Sequence, residues 1–204
     1  MKWIYSSLII LIYTAGLSAQ SFGSITYNVA VPEDRLYDYI DEVSWRGFGL
    51  EGRWFQSSNL SLGISFGWNV FNQRVNTPIQ VKDETLEGTV TGTQIRNVNS
   101  FPMMATLHLY IGKKRETLRL YFGTGVGTYY IIQRLEIGLV AFEENNWHIG
   151  VAPEAGVLLR FNRDVTMIFN AKYNYAFAAG ESISGEDNDY AYWGFNIGFA
   201  WSSF

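Results

Sequence analysis

The chain has no cysteine among its 204 residues. No disulfide can hold it together and no thiol is available for lipoprotein attachment, so its stability needs another source. Proline is scarce at 4 residues against 20 glycines and 17 % aromatics, a balance that points to an all-β chain. Basic runs are missing as well. With a formal net charge of -4 and no Lys/Arg stretch able to track a phosphate backbone, nucleic acid is excluded as a partner. Histidine occurs only as His108 and His148, which leaves little for imidazole chemistry. Finally, no apolar run is long enough for a helix that crosses a bilayer: the one from Trp3 to Tyr13 falls short of the ~20 residues required.

That short run does have a meaning. "MKWIYSSLIILIYTAGLSAQ" places Lys2 before an apolar core and small residues before Ala19-Gln20, the layout of a secretory signal peptide covering residues 1–19. The mature chain, residues 20–204, reads as one domain of strand after strand. Eight segments alternate with period two: residues 21–31, 44–56, 59–72, 100–112, 117–132, 147–161, 165–177 and 190–201. Long, polar connections follow the first, third, fifth and seventh (32–43, 73–99, 133–146 and 178–189), and short ones, "SS", "KKRE" and "NRD", follow the others. Even strand count and alternating loop length predict an eight-stranded antiparallel up-and-down transmembrane β-barrel.

The polar faces indicate which side is outward. In "NLSLGISFGWNVFN", Leu60, Leu62, Ile64, Phe66, Trp68 and Val70 face away from Ser61, Gly63, Ser65, Gly67 and Asn69. Uncharged small residues suit the cramped interior of an eight-stranded barrel, so the large apolar set is assigned to lipid. The last segment assigns Trp193, Phe195, Ile197, Phe199 and Trp201 to lipid in the same way. Aromatics near strand ends, among them Trp54, Trp68, Tyr129, Tyr130, Trp147, Tyr173, Tyr190, Tyr192 and Trp201, look like interfacial girdles. The soluble alternative is a secreted lipocalin-like calyx with these aromatics as its core.

Charges on the small-residue faces form a candidate lumen network: Glu51, Arg53, His108, Arg119, Glu154 and Lys172. Buried charges of both signs must pair, and the expected result is a structural plug, with a gated ion or proton path as the alternative. Other motifs carry less. "GTGVG" (residues 123–127) lacks the strand-to-helix turn of a phosphate loop, and "GEDND" (185–189) lacks the spacing of a calcium loop. His148 lies near Glu143, Glu144, Ser182 and Ser184 without the pattern of an acyl-transfer triad. No catalytic residue, metal or cofactor is therefore expected.

"GVAPEAGVLLRFNRDVTMIFNAKYNYAF" (residues 150–177) resembles the penultimate hairpin of the outer-membrane β-barrel protein family common in Bacteroidetes, and the whole mature pattern resembles the small barrels of the OmpA/OmpX type. The resemblance implies residence in the outer membrane, contact with its lipid and lipopolysaccharide, and insertion by the barrel-assembly machinery. It implies no activity. Phe204 would be the terminal aromatic of the assembly signal, although Phe199 and Trp201 lie on the opposite parity. With a lumen too narrow for a porin, the expected role is structural or interactive, through extracellular loops or as an accessory part of an envelope complex. A narrow channel is the alternative, and a lipid-modifying enzyme a more distant one.

Overall fold

In the computed structural model, residues 21–76, 79–83, 86–90, 93–113, 116–138, 140–162, 164–180 and 188–202 are described. The leader at 1–19 and Phe204 lie outside them. The strands are β1 (Ser21–Glu33), β2 (Gly47–Phe55), β3 (Leu60–Val75), β4 (Ile79–Asp83), β5 (Leu86–Val90), β6 (Gln94–Ile111), β7 (Leu118–Ile137), β8 (Val140–Arg160), β9 (Val165–Ala176) and β10 (Tyr190–Ser202), with one short helix, α1 (Asp34–Tyr39). Eight of the strands close a barrel in the order β1-β10-β9-β8-β7-β6-β3-β2. Every neighbour is antiparallel, and β1 meets β10 to seal the ring. Closure leaves no sheet edge in the wall and stands in for the missing disulfides. Strands β4 and β5 pair only with each other.

The wall turns its apolar side outward. Leu62, Ile64 and Phe66 are about half exposed while Ser61 and Ser65 on the alternate positions are buried, and Trp193, Phe195, Ile197, Phe199 and Trp201 are exposed in the same manner. Leu60 and Val70 share that outward parity. An exposed apolar surface of this extent is unsustainable in water and matches a hydrocarbon surround. A calyx with the aromatics inside is thereby replaced by a barrel with them outside.

Near the long-loop end the outer wall carries a continuous aromatic belt. Phe48 meets Trp68 at 5.7 Å between ring centroids, Trp68 meets Phe101 at 6.3 Å, Phe101 meets Tyr130 at 6.2 Å, and Tyr130 meets Trp147 at 4.9 Å. These rings sit where a headgroup girdle belongs. Three aromatics expected there do not join it: Tyr129, Tyr190 and Tyr192 are buried in the lumen. Period-two alternation is the reason for Tyr129 and Tyr192, which stand one position from outward Tyr130 and Trp193, while Tyr190 is covered by the cluster around Leu36 and Ile40.

The long connections also differ from the expectation of loops. Residues 133–137 and 140–146 are strand: β7 runs on to Ile137, β8 starts at Val140, and the pairing Gln133↔Glu144 to Ile137↔Val140 is unbroken. Strands β3 and β6 likewise continue to Val75↔Gln94, so part of 73–99 is paired strand as well. In the first connection, α1 turns into the barrel mouth, burying Leu36 and Ile40 against Phe71, Val98, Ile131 and Tyr190.

Candidate functional site

The lumen is filled in layers. Beneath the apolar seal of α1 lies a small polar chamber of about 40 Å³, lined by Ser24, Thr26, Asn28, Ser65, Asn69 and Asn174. That volume suits a few water molecules. Below it sits a charged cluster, and below that a floor of Phe22, Phe55, Tyr110, Tyr121, Leu158 and Ile168.

The cluster is built by one rung of the sheet: His108, Gly123, Glu154 and Lys172 are successive cross-strand partners on β6, β7, β8 and β9. Strands two apart are separated by roughly 9–10 Å, too far for direct contact unless the strand between contributes no side chain. Gly123 meets that condition. A Cβ there would overlap the His108 ring, and without it His108 Nε2 reaches Glu154 Oε1 at 2.5 Å. The same device recurs two rungs lower, where Gly156 separates its partners Tyr121 and Asn170 and Asn170 Nδ2 donates across it to the Tyr121 hydroxyl at 3.0 Å. Gly123 of "GTGVG" is therefore a spacer between two large side chains.

Around Glu154 the charges converge. Lys172 Nζ lies 3.0 Å from its Oε2, and Arg53 Nη2 lies 3.3 Å from its Oε1. Arg53 also bridges to Glu51 Oε2 at 2.7 Å, donates to the Tyr110 hydroxyl at 3.1 Å, and stacks 4.5 Å over the Tyr121 ring. Glu51 accepts from Thr106 at 3.3 Å and lies 3.4 Å from His108 Nε2. Two carboxylates balance Arg53 and Lys172, so His108 need carry no charge. Its Nε2 carries the hydrogen that faces the carboxylates, leaving buried Nδ1 without a hydrogen-bond partner.

Glu51, His108 and Glu154 present ligand atoms within 4.8 Å of one another, a spacing a metal ion could use. The surrounding groups argue against a dication there, because Arg53 and Lys172 already hold both carboxylates at 2.7–3.3 Å. Of the six residues the sequence singled out, Glu51, Arg53, His108, Glu154 and Lys172 meet here. Arg119 does not. It lies lower, 4.6 Å over the Tyr110 ring, with Nη2 donating to the Ser58 carbonyl in the β2–β3 turn.

His148 is not assembled into a catalytic group among the described residues. Its Nδ1 lies 3.0 Å from the Phe177 carbonyl oxygen and its ring packs edge-on against Tyr190. Ser182, Ser184 and residues 185–187 of "GEDND" lie outside the described residues. Sequence reasoning missed the rest of the mouth. Arg96 donates to the Tyr39 carbonyl at 2.8 Å and stacks 5.1 Å over its ring, while Arg35 pairs with Asp189 at 2.8 Å. The signal that could have found it is "RLYDYI" (residues 35–40), whose Leu36 and Ile40 stand four apart, on one face of a helical turn.

No family model matches the chain, and no curated protein matches it. Solved structures do. Ail, the attachment invasion locus protein of Yersinia pestis, crystallised in complex with the heparin analogue sucrose octasulfate, aligns with a TM-score of 0.58 and 15% identity over 92% of this chain and 100% of that one. Neisserial surface protein A aligns at 0.56 and 10% identity, over 90% and 96%. The N-terminal β-barrel domain of Pseudomonas aeruginosa OprF aligns at 0.53 and 12% identity, over 91% and 100%. At such identities the likeness carries the fold, that of the eight-stranded outer-membrane barrels.

Proposed function

We propose that the chain is an integral outer-membrane barrel of the kind resembled by the Bacteroidetes family, exported by the leader at 1–19, whose role is to present a strand platform to a partner at the cell surface. The observation that carries this reading is the sheet that rises past the aromatic belt. From Tyr130 and Trp147 in the belt, β7 and β8 continue through seven further rungs to Ile137 and Val140, roughly 23 Å of paired strand. Strands β3 and β6 accompany them on one side. On the other side, β9 stops pairing at Gly150, so the edge of β8 that faces away from β7 over residues 140–145 has no strand partner among the described residues. Val140 and Phe142 there are exposed, and Glu143 and Glu144 lie between them and the belt. An extended segment carrying basic side chains would add to this edge, its backbone satisfied by β8 and its charges by the carboxylates.

The lumen favours the same reading over a channel, since α1 closes one end and the Arg53–Glu154 cluster with its aromatic floor closes the other. We take the chain as non-enzymatic because its two histidines are committed to a carboxylate and a backbone carbonyl rather than to a nucleophile. Lipopolysaccharide around the belt and the assembly machinery acting on the C-terminal strand complete the expected set of partners.

Crosslinked co-purification from outer membranes tests the platform. The full chain should capture a specific envelope or surface protein, and a variant with residues 134–143 replaced by a two-residue turn should lose it while keeping the heat-shifted gel migration of a folded barrel. Equal capture by both would overturn the assignment. Single-channel recordings in planar bilayers should show no steady conductance.

A further inference from the structure

Above the aromatic belt, the free edge of β8 lacks the devices that keep sheet edges unpaired. Residues 140–145, "VAFEEN", contain no Pro, Gly or Lys, and their register to β7 has no bulge. The backbone groups on offer follow from a bond lower on the same strand. Phe177 N–H donates to the Ile149 carbonyl at 2.9 Å, so the backbone of Ile149 points to the β9 side. With period two, the N–H and C=O groups of Ala141, Glu143 and Asn145 point that way too, while those of Val140, Phe142 and Glu144 are turned toward β7.

The side chains divide by face. Val140 and Phe142 share the face that carries buried Ile131 and Gln133 on β7, and with their partners Ile137 and Leu135 they make an apolar strip on which Val140 is 54 % and Phe142 51 % exposed. Glu144 stands on the same face. Arg134 lies on the other, 2.9 Å from Glu136 and 3.9 Å from Glu143, which leaves Glu144 as the carboxylate of this edge without an ion pair among the described residues. The cation of β6 on the Glu144 face, Arg96, is two strands away and held by the Tyr39 carbonyl.

We propose that this edge selects an extended protein segment in which a Lys or Arg is followed, at alternate positions, by two apolar residues. The proposal rests on the platform reading above and gives that platform its partner's chemistry. Added antiparallel, the more stable pairing per residue, such a segment bonds to the backbone of Ala141, Glu143 and Asn145. Its cation then lies across from Glu144, and its apolar pair extends the strip beside Phe142 and Val140. A second copy of the chain fits less well. Copies in one membrane share an orientation, so two β8 edges meet parallel and bring their carboxylates side by side, like charge against like.

Fluorescence anisotropy of labelled peptides on the full chain, folded in lipid nanodiscs and retaining heat-shifted gel migration, tests the edge. A peptide with lysine, valine and valine at alternate positions and threonine between them should bind. A141P removes an edge donor without touching the β7 ladder, and F142T removes an apolar contact; each should weaken binding several-fold. E144Q should weaken it about two- to five-fold, the worth of one cross-strand ion pair, and E143Q, on the other face, should leave it unchanged. Equal binding by A141P, by E144Q or of the peptide in reverse order would overturn the proposal, as would an equal loss in E143Q or binding that appears only once residues 181–187 are deleted. If no peptide binds while capture from outer membranes still depends on residues 134–143, the pattern falls and the platform stands. If that dependence is missing as well, both fall.

Discussion

The two ends of the lumen are closed by different means. At the short-turn end every closing group comes from a wall strand: Glu51 and Arg53 from β2, His108 from β6, Glu154 from β8 and Lys172 from β9. At the long-loop end the closing groups that matter most, Leu36 and Ile40, come from a connection of helix and loop held in place by Arg96 and by the Arg35–Asp189 pair. The difference teaches that the floor is part of the barrel's stability, while the mouth is a separable stopper. Changes at the first should be paid by the whole ring, and changes at the second by α1 alone.

The sharpest way to break the comparison is Glu154→Gln. It leaves Arg53 and Lys172 buried without their shared carboxylate and should lower the stability of the detergent-folded barrel by about 3–5 kcal/mol, read from urea unfolding. If the loss stayed within ~0.5 kcal/mol, as at an ordinary surface site, the floor would be filling rather than structure. Gly156→Val probes the spacer device with a smaller effect. A Cβ at this position would lie 2.5 Å from Tyr121 Cζ, so overpacking should cost about 1–3 kcal/mol and lower the temperature at which heat-shifted migration is lost. Gly23→Ala, where an added Cβ has no atom within 4 Å, is the matched control and should leave that temperature in place. Smallest in global terms is Leu36→Ala. It should change unfolding of the ring by under ~1 kcal/mol yet raise hydrogen exchange and protease cutting over residues 34–45, because the stopper opens locally. A large global loss would instead tie the mouth to the ring as firmly as the floor.

The wall was legible because its chemistry repeats: Leu60 to Val70 alternate with serine, glycine and asparagine so regularly that parity alone separates outward from inward. Residues 133–146 were not, because Arg134, Glu136, Glu143 and Glu144 read as a solvated loop. Above a membrane a strand can be polar on both faces, and pairing, not hydropathy, keeps it ordered. The cluster was half legible. Parity put Glu51, Arg53, Glu154 and Lys172 on one side, but only the register decides that His108 and Glu154 flank Gly123 and that Arg119 falls a level lower. The six residues of α1 are too short for periodicity to speak, and their acidic neighbours hid Leu36 and Ile40.

The rung that joins His108, Gly123, Glu154 and Lys172 also bears on the order of assembly. Arg53 and Glu51 enter on the second barrel strand, and Glu154 follows 101 residues after Arg53, so in a sheet built only as far as β7 the two β2 charges meet polar groups of β6 and β7 but neither Glu154 nor Lys172. Their partners arrive with β8 and β9, just before β10 closes on β1. Contacts of such long sequence separation form late and slowly. The cluster therefore ties the burial of charge to closure: a partly built sheet that lacks its last three strands holds the Arg53–Glu51 pair without Glu154 and Lys172, and the balanced set assembles only when the ring is nearly complete.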